Sequence, residues 1–224
     1  MSDFYINTLW YLVFVVSVCF HEACHAWVAK KNGDNSAAML VSLDPIPHIL
    51  REPFGMVILP LFSLYLYGWP MGFAHVPVHP EWMKKFPKKA ALMAMAGPVM
   101  NLAIALVVAL FIKFGLSFGW FSTETLKPGM LLGGSGDYGT ATVAMILSVF
   151  FTMNLVLGIF NLLPLPPLDG SGMIPLFLTK KMSRKYLDLV HQPMAGFIGL
   201  FLAWNIFPGV FGGVFAACKA FLYL

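Results

Sequence analysis

The stretch Phe20-His21-Glu22-Ala23-Cys24-His25-Ala26 lies inside an apolar run from Phe4 to about Val28. A run of that length reads as a helix long enough to cross a bilayer, and this setting decides how its polar residues are interpreted. Residues four apart share one face of a helix, so His21 and His25 can hold one metal ion between them. Glu22 lies beside that ion but off the ligand face, where a general base for an attacking water belongs. A lone buried histidine is ordinarily a hydrogen-bonded core residue. Two histidines flanking an acid inside a membrane run are costly to keep there and point to function.

Of the 224 residues, 59% are hydrophobic and 11% charged, more apolar surface than a soluble domain needs. A polytopic membrane protein is therefore expected. The net charge of +4 does not argue for nucleic acid, which is excluded as a partner, because the cations cluster beside apolar runs as cytoplasmic anchors do. The first run is too long for a signal-peptide core and has no basic leader, so no cleavage is expected. Cys19, Cys24 and Cys218 form no C-x-x-C pair and read as small apolar fillers.

Lys30-Lys31 close the first run, which gives an N-out, C-in helix with His25 about 7–8 Å from its end. Asn32 to Ser36 is a turn, and Asp44-Pro45-Ile46-Pro47-His48 is not expected to be helical throughout. Phe54 to Trp69 is apolar, but a full crossing would put Lys84, Lys85, Lys88 and Lys89 outside. A re-entrant element is expected instead, followed by an extended stretch from Gly72 to Val78. Ala90 to about Leu116 spans. The loop from Ser117 to Gly139, with Glu124 and Asp137 against Lys127, reads as outside. Thr140 to Phe160 spans back. Pro164, Pro166 and Pro167 then break the helix, and Lys180, Lys181, Arg184 and Lys185 mark another cytoplasmic segment. Met194 to Leu224 re-enters the membrane as one bent helix or a short hairpin. The expected fold is an all-α polytopic membrane protein of about five to six transmembrane segments. A re-entrant or extended element lies between its first and second full spans.

A catalytic zinc needs three protein ligands and an open position. Among the ten Asp and Glu residues, Glu22 and Asp169 fall within or against apolar segments. Asp169 is therefore the candidate third ligand, and a helix N-cap is its alternative role.

Three motifs now stand together: H-E-x-x-H at His21–His25, G-P-x-x-N at Gly97–Asn101, and N-x-x-P-x-P-x-L-D-G at Asn161–Gly170. In combination they resemble the site-2 protease family of intramembrane zinc metalloproteases, in particular its small bacterial and archaeal members without PDZ or CBS domains. The resemblance runs from about His21 to Gly170. It implies one integral-membrane metalloprotease domain over residues 1–224, with a core at 4–179 and a C-terminal membrane segment at 193–224. It also implies one zinc held by His21, His25 and Asp169, with Glu22 activating the water. Asn161 would lie near the metal and help hold substrate or the developing oxyanion; a plain helix-terminal role is its alternative. Gly97, Pro98 and Asn101 read as packing residues, and His48 is the one further histidine worth testing. The connection from Gly33-Asp34 to Asp44-Pro45 is shorter than in the small members and lacks their Gly-Arg pair.

The implied substrates are membrane-spanning segments of other proteins, and the stretch Gly72 to Val78 is the candidate edge for an unwound substrate strand. The implied setting is the plasma membrane of a prokaryote, a multi-pass protein in the lipid bilayer with its active site toward the cytoplasm. A homo-oligomer or an adaptor partner is left open. The alternative function is a membrane zinc-binding scaffold or transporter without hydrolysis, in which Glu22 would be dispensable. A prenyl-protein type of metalloprotease is the other alternative; its third ligand is a Glu, and the P-x-P-x-L-D-G element argues against it.

Overall fold

The computed structural model describes residues 3–36, 38–123, 131–134 and 138–224. The first helix, α1 (Asp3–Lys31), contains no Pro or Gly and ends in Lys30 and Lys31, whose charges suit a helix C-terminus. Its end is closed by bonds from Gly33 N–H to Lys30 O and from Asp34 N–H to Ala29 O. Gly33 takes φ +94°, the left-handed conformation this termination requires.

Two further long helices pack with α1: α5 (Pro87–Ser117) and α6 (Tyr138–Leu162). Apolar side chains fill most of their contacts, with Val13, Phe14 and Val18 of α1 against Val149 and Met153 of α6. At the junction of the three helices, however, Ser17, Asn101 and Asn154 are fully buried. Asn101 Nδ2 donates to Asn154 Oδ1 at 2.9 Å and to Ser17 O at 3.2 Å, and Asn154 Nδ2 donates to Ser17 Oγ at 2.9 Å. Lipid gives apolar helix faces little reason to prefer one another. Such bonds, at roughly 0.6 kcal/mol each, therefore fix which faces meet.

Between α1 and α5 the chain makes α2 (Pro45–Arg51), a π-helical turn (Phe54–Ile58), α3 (Leu59–Tyr67) and α4 (Pro80–Lys85). Of the stretch Asp44 to His48, Asp44 is extended and the helix begins at Pro45. Its prolines lie in the first turn, where no N–H is needed, and Asp44 caps it by accepting from Ile46 N–H. The helical segments on either side of Glu52 meet at 112°, the geometry of a broken span or a re-entrant loop. Pro60 dictates the next contact. Within the π turn Leu59 N–H bonds to Phe54 O, and Pro60 has no N–H to offer the Gly55 carbonyl. That carbonyl accepts instead from Phe73 N–H at 3.1 Å, so the returning chain is laid across Gly55. A Cβ on Gly55 would stand 2.1 Å from Phe73 O.

Residues 70–79 form neither helix nor strand. His75 Nδ1 pairs with Glu52 Oε1 at 2.7 Å, and His79 N–H donates to buried Asp34 Oδ2 at 3.0 Å. Burial opposes the Asp34 charge, but hydrogen bonds from Ser36 and from His79 N–H outweigh it and hold this carboxyl below the usual range.

After α6 come α7 (Asp169–Met173), a 3-10 turn (Ile174–Leu176), α8 (Lys180–Val190) and α9 (Pro193–Tyr223). The segment after Met194 is thus one continuous helix with Pro208 inside it, not a hairpin. A short antiparallel pair, β1 (Phe121–Ser122) with β2 (Gly133–Gly134), departs from the all-α expectation. Glu124, Lys127 and Asp137 lie outside the described residues.

The protein is an all-α polytopic membrane protein in every other respect. Among the described residues, four helices (α1, α5, α6 and α9) are long and apolar enough to cross a membrane, or five spans if the bent pair counts as one. The upper of these counts meets the lower end of the expected five to six. Phe54 to Tyr67 rises only about 21 Å as a helix, short of the roughly 30 Å hydrocarbon core.

Candidate metal centre

His21 and His25 are 6% and 4% exposed, one turn apart on the face of α1 that meets α5. Asp169 reaches them from another part of the chain. After α6 the prolines prevent helix continuation, and the chain turns back so tightly that a Cβ on Gly170 would lie 2.3 Å from Leu162 O. This fold-back delivers Asp169 as the first residue of α7. Leu168 occupies the cap position and no side-chain capping bond forms, which removes the N-cap alternative for Asp169.

The three ligand atoms converge. His21 Nε2 lies 2.9 Å and His25 Nε2 3.3 Å from Asp169 Oδ2, and the two Nε2 atoms are 3.0 Å apart. Donors held about 2.0–2.1 Å from a tetrahedral zinc stand roughly 3.3 Å from one another, so the spacing fits that ion.

Proton positions strengthen the fit. His25 Nδ1 is 2.7 Å from the carbonyl of Met93, which can only accept, so Nδ1 carries a proton. His21 Nδ1 is 2.5 Å from Asn101 Oδ1. The orientation of that amide follows from its other bonds, because Asn101 Nδ2 donates to the Ser17 carbonyl. His21 Nδ1 is therefore also a donor. In the form that binds a metal, each imidazole turns an Nε2 lone pair toward the other and toward the Asp169 carboxylate. A cation placed between the three atoms takes the position that a proton on Nε2 would otherwise fill. Hydrogen-bonding the far nitrogen of each ring is also how proteins orient metal-binding histidines. Among the described residues, His21, His25 and Asp169 are the group of three so disposed.

Glu22 is 3% exposed, and its Oε2 is buried without a hydrogen-bond partner. Leaving a carboxylate oxygen in that state is expensive, so its retention points to a chemical task. Asn161, in contrast, is not joined to the cluster by a hydrogen bond; its Nδ2 donates to Leu157 O of its own helix at 3.1 Å. The other histidines serve elsewhere: buried His48 contacts Ser42 O through Nε2 at 3.2 Å, and His191 contacts Leu187 O.

Two residues of the G-P-x-x-N motif, read from sequence as packing residues, belong to the site. Asn101 holds His21. A Cβ on Gly97 would lie 2.2 Å from His25 Nε2 and 2.5 Å from His21 Nε2, so only glycine leaves room there. Their spacing of four residues puts both on one face of α5, and a small residue one turn from a carboxamide facing H-E-x-x-H was the available signal. Met93 contributes only its carbonyl, which no sequence pattern could mark.

Gly97→Ala is expected to abolish zinc binding although it removes no ligand. Asn101→Leu should weaken zinc affinity by about 10–100-fold, the usual effect of removing a partner that orients a ligand. Zinc content and competition with a chelator, measured on folded protein, check both. Full zinc in Gly97→Ala would disprove the geometry.

Comparison with known proteins gives the chain a family. Residues 9–206 match the profile of Peptidase family M50. YwhC of Bacillus subtilis is 33% identical over 165 residues, which cover 73% of this chain and 66% of that protein. Rip2 of Mycobacterium tuberculosis is 27% identical, covering 90% and 69%, and MJ0611 of Methanocaldococcus jannaschii is 28% identical, covering 86% and 83%. Each is named as a candidate zinc metalloprotease. The chain thus spans about two thirds of the length of the first two. No solved structure matches. A profile match across most of the chain, together with a His-His-Asp group on the same helical turn as a glutamate whose Oε2 is buried and unpartnered, makes this protein a member of peptidase family M50, the zinc metalloproteases.

Proposed function

We propose that the chain is an intramembrane zinc endopeptidase that hydrolyses a peptide bond within or next to a membrane-spanning segment of a protein substrate. The observation that carries this reading is Glu22 Oε2, buried and without a partner on the same helical turn as His21 and His25. His21, His25 and Asp169 would hold the zinc. Bound there, zinc supplies a Lewis acid that polarises a peptide carbonyl and acidifies water. The remaining work falls to the chain's own residues. Glu22 accepts the nucleophile's proton at Oε2 and returns it to the departing amine, the two transfers that amide hydrolysis requires. Asn101 and Met93 keep both imidazoles in the ligating tautomer. Asn161, at the end of α6 ahead of the Asp169 turn, remains a proposed contact for substrate or oxyanion.

A membrane helix offers no free carbonyl until it unwinds. Residues 70–79 would receive the opened strand. This stretch is tied down by Phe73 N–H to Gly55 O and by His79 N–H to Asp34, and no strand pairs with it among the described residues.

Orientation is part of the same proposal. The cationic clusters lie together at one end of the bundle: Lys84 Nζ pairs with Asp188 at 2.7 Å, and Lys89 Nζ donates to Asn32 O at 3.4 Å. The positive-inside rule puts that end, and the metal centre near it, on the cytoplasmic side. Single cysteines beside Lys30 and Lys85 should be labelled only from the cytoplasm, and one at Phe118 only from outside. Labelling of the first two from opposite sides would refute the arrangement.

Glu22→Gln keeps both histidines and nearly the same shape. The purified variant should retain zinc yet cut a single-span test substrate about 10²–10⁴-fold more slowly, with the parent's cut mapped to the span by mass spectrometry. A zinc-loaded variant as active as the parent would leave the protein a zinc-holding scaffold.

A further inference from the structure

At the cationic end of the bundle, two cavities adjoin. The larger, about 920 Å³, lies between α4 and α8, with Lys84, Lys85, Lys180 and Arg184 set against Glu81 and Asp188. The smaller, about 210 Å³, is lined by Phe86, Pro87 and Leu178, with Lys88 and Lys89 at its border. Phe86 and Lys180 line both, so a basic cleft and an apolar groove lie side by side and share a wall.

The cleft is braced. Lys84 is paired with Asp188, and Arg184 Nε donates to Lys84 O at 3.1 Å, so α4 and α8 are held at a fixed separation. Lys85 and Lys180 have no carboxylate partner among the described residues, which leaves excess positive charge on the cleft wall. α8 is strongly amphipathic: Ser183 and Leu187 are buried, while Lys180, Lys181, Arg184 and Lys185 are exposed. Phe177, at 86% exposed, and Met182 lie beside these cations. Cations, exposed apolar side chains and a short helix between two membrane elements describe a segment lying in the bilayer interface.

We propose that this cleft binds the phosphate headgroup of an anionic phospholipid, whose glycerol and first acyl carbons lie in the groove of Phe86, Pro87 and Leu178. An acidic peptide would satisfy the lysines equally well. It would have no use for an apolar groove that opens beside the start of the α5 span. A basic pocket of this kind beside membrane helices is suited to anionic headgroups. Tyr186 Oη donates to Ser171 O at 2.9 Å, two residues beyond Asp169, so a lipid that steadies α8 also steadies the element carrying the aspartate. The proposal does not depend on the protein being a protease.

Full-length protein in neutral detergent is titrated with dioleoylphosphatidylglycerol or dioleoylphosphatidylcholine, and bound lipid is counted by native mass spectrometry. The glycerol lipid should bind at least about tenfold more tightly than the choline lipid. Lys85→Gln/Lys180→Gln should abolish that preference, whereas Lys30→Gln/Lys31→Gln, which removes equal charge outside the cleft, should keep it. If the cleft variant does not fold, the parent decides the matter, since its preference must fall several-fold between about 0.05 and 0.5 M salt. Equal binding of the two lipids, equal loss in both variants, or no salt dependence would overturn the proposal. Displacement of the lipid by an equal concentration of soluble glycerol phosphate would show that the groove takes no part. Tighter binding of a hexaglutamate peptide would make the cleft a peptide site. Either result would overturn the lipid assignment.

Discussion

Two buried ring nitrogens, His21 Nε2 and His25 Nε2, and the half-buried Asp169 Oδ2 face one another at 2.9–3.3 Å. Their convergence on one point, with the spacing of ligands around a cation, is the constraint on which the rest of the structure depends. Metal binding there requires both imidazoles to be neutral and protonated at Nδ1, which in turn calls for an acceptor behind each ring. α5 supplies both, one as a side chain and one as a backbone carbonyl. It also requires that nothing larger than hydrogen occupy position 97.

The amide that sets the His21 tautomer also joins the three central helices. Asn101 uses Oδ1 for the histidine and Nδ2 for Ser17 and Asn154, so helix association and metal geometry share one residue. In a bilayer, where apolar contact discriminates weakly between helix faces, such sharing has a physical consequence. Any sliding of α5 against α1 that broke the network would also release His21.

Much of this was legible in the sequence. Apolar runs gave the four long helices, and spacing gave the histidine pair. The rarity of acids in apolar segments singled out Asp169, whose approach depends on prolines and a glycine visible in the chain. The number of spans was less legible. Composition marks Phe54 to Tyr67 as apolar, yet neither the break around Glu52 nor the redirected Gly55 carbonyl follows from hydropathy. Pro60 carried that information, but only once the π turn was known. Asn101 and Gly97 were underrated because their motif has an adequate packing explanation. Their roles depend on which face of α5 meets α1, a tertiary fact. Asn161 is as conspicuous in its own motif, and its amide is bonded to Leu157 O within α6.

The central claim is that the histidines and the aspartate, not the cysteine inside the motif, form the metal centre. Cys24 lies between Glu22 and His25 and is only half-buried, so a sulfur ligand is the competing arrangement. X-ray absorption at the zinc edge of the purified, zinc-loaded protein tests this directly. Nitrogen and oxygen neighbours at about 2.0–2.1 Å with the outer-shell signature of two imidazoles are expected. A sulfur neighbour at about 2.3 Å, or the signature of fewer than two imidazoles, would contradict a centre built from His21, His25 and Asp169.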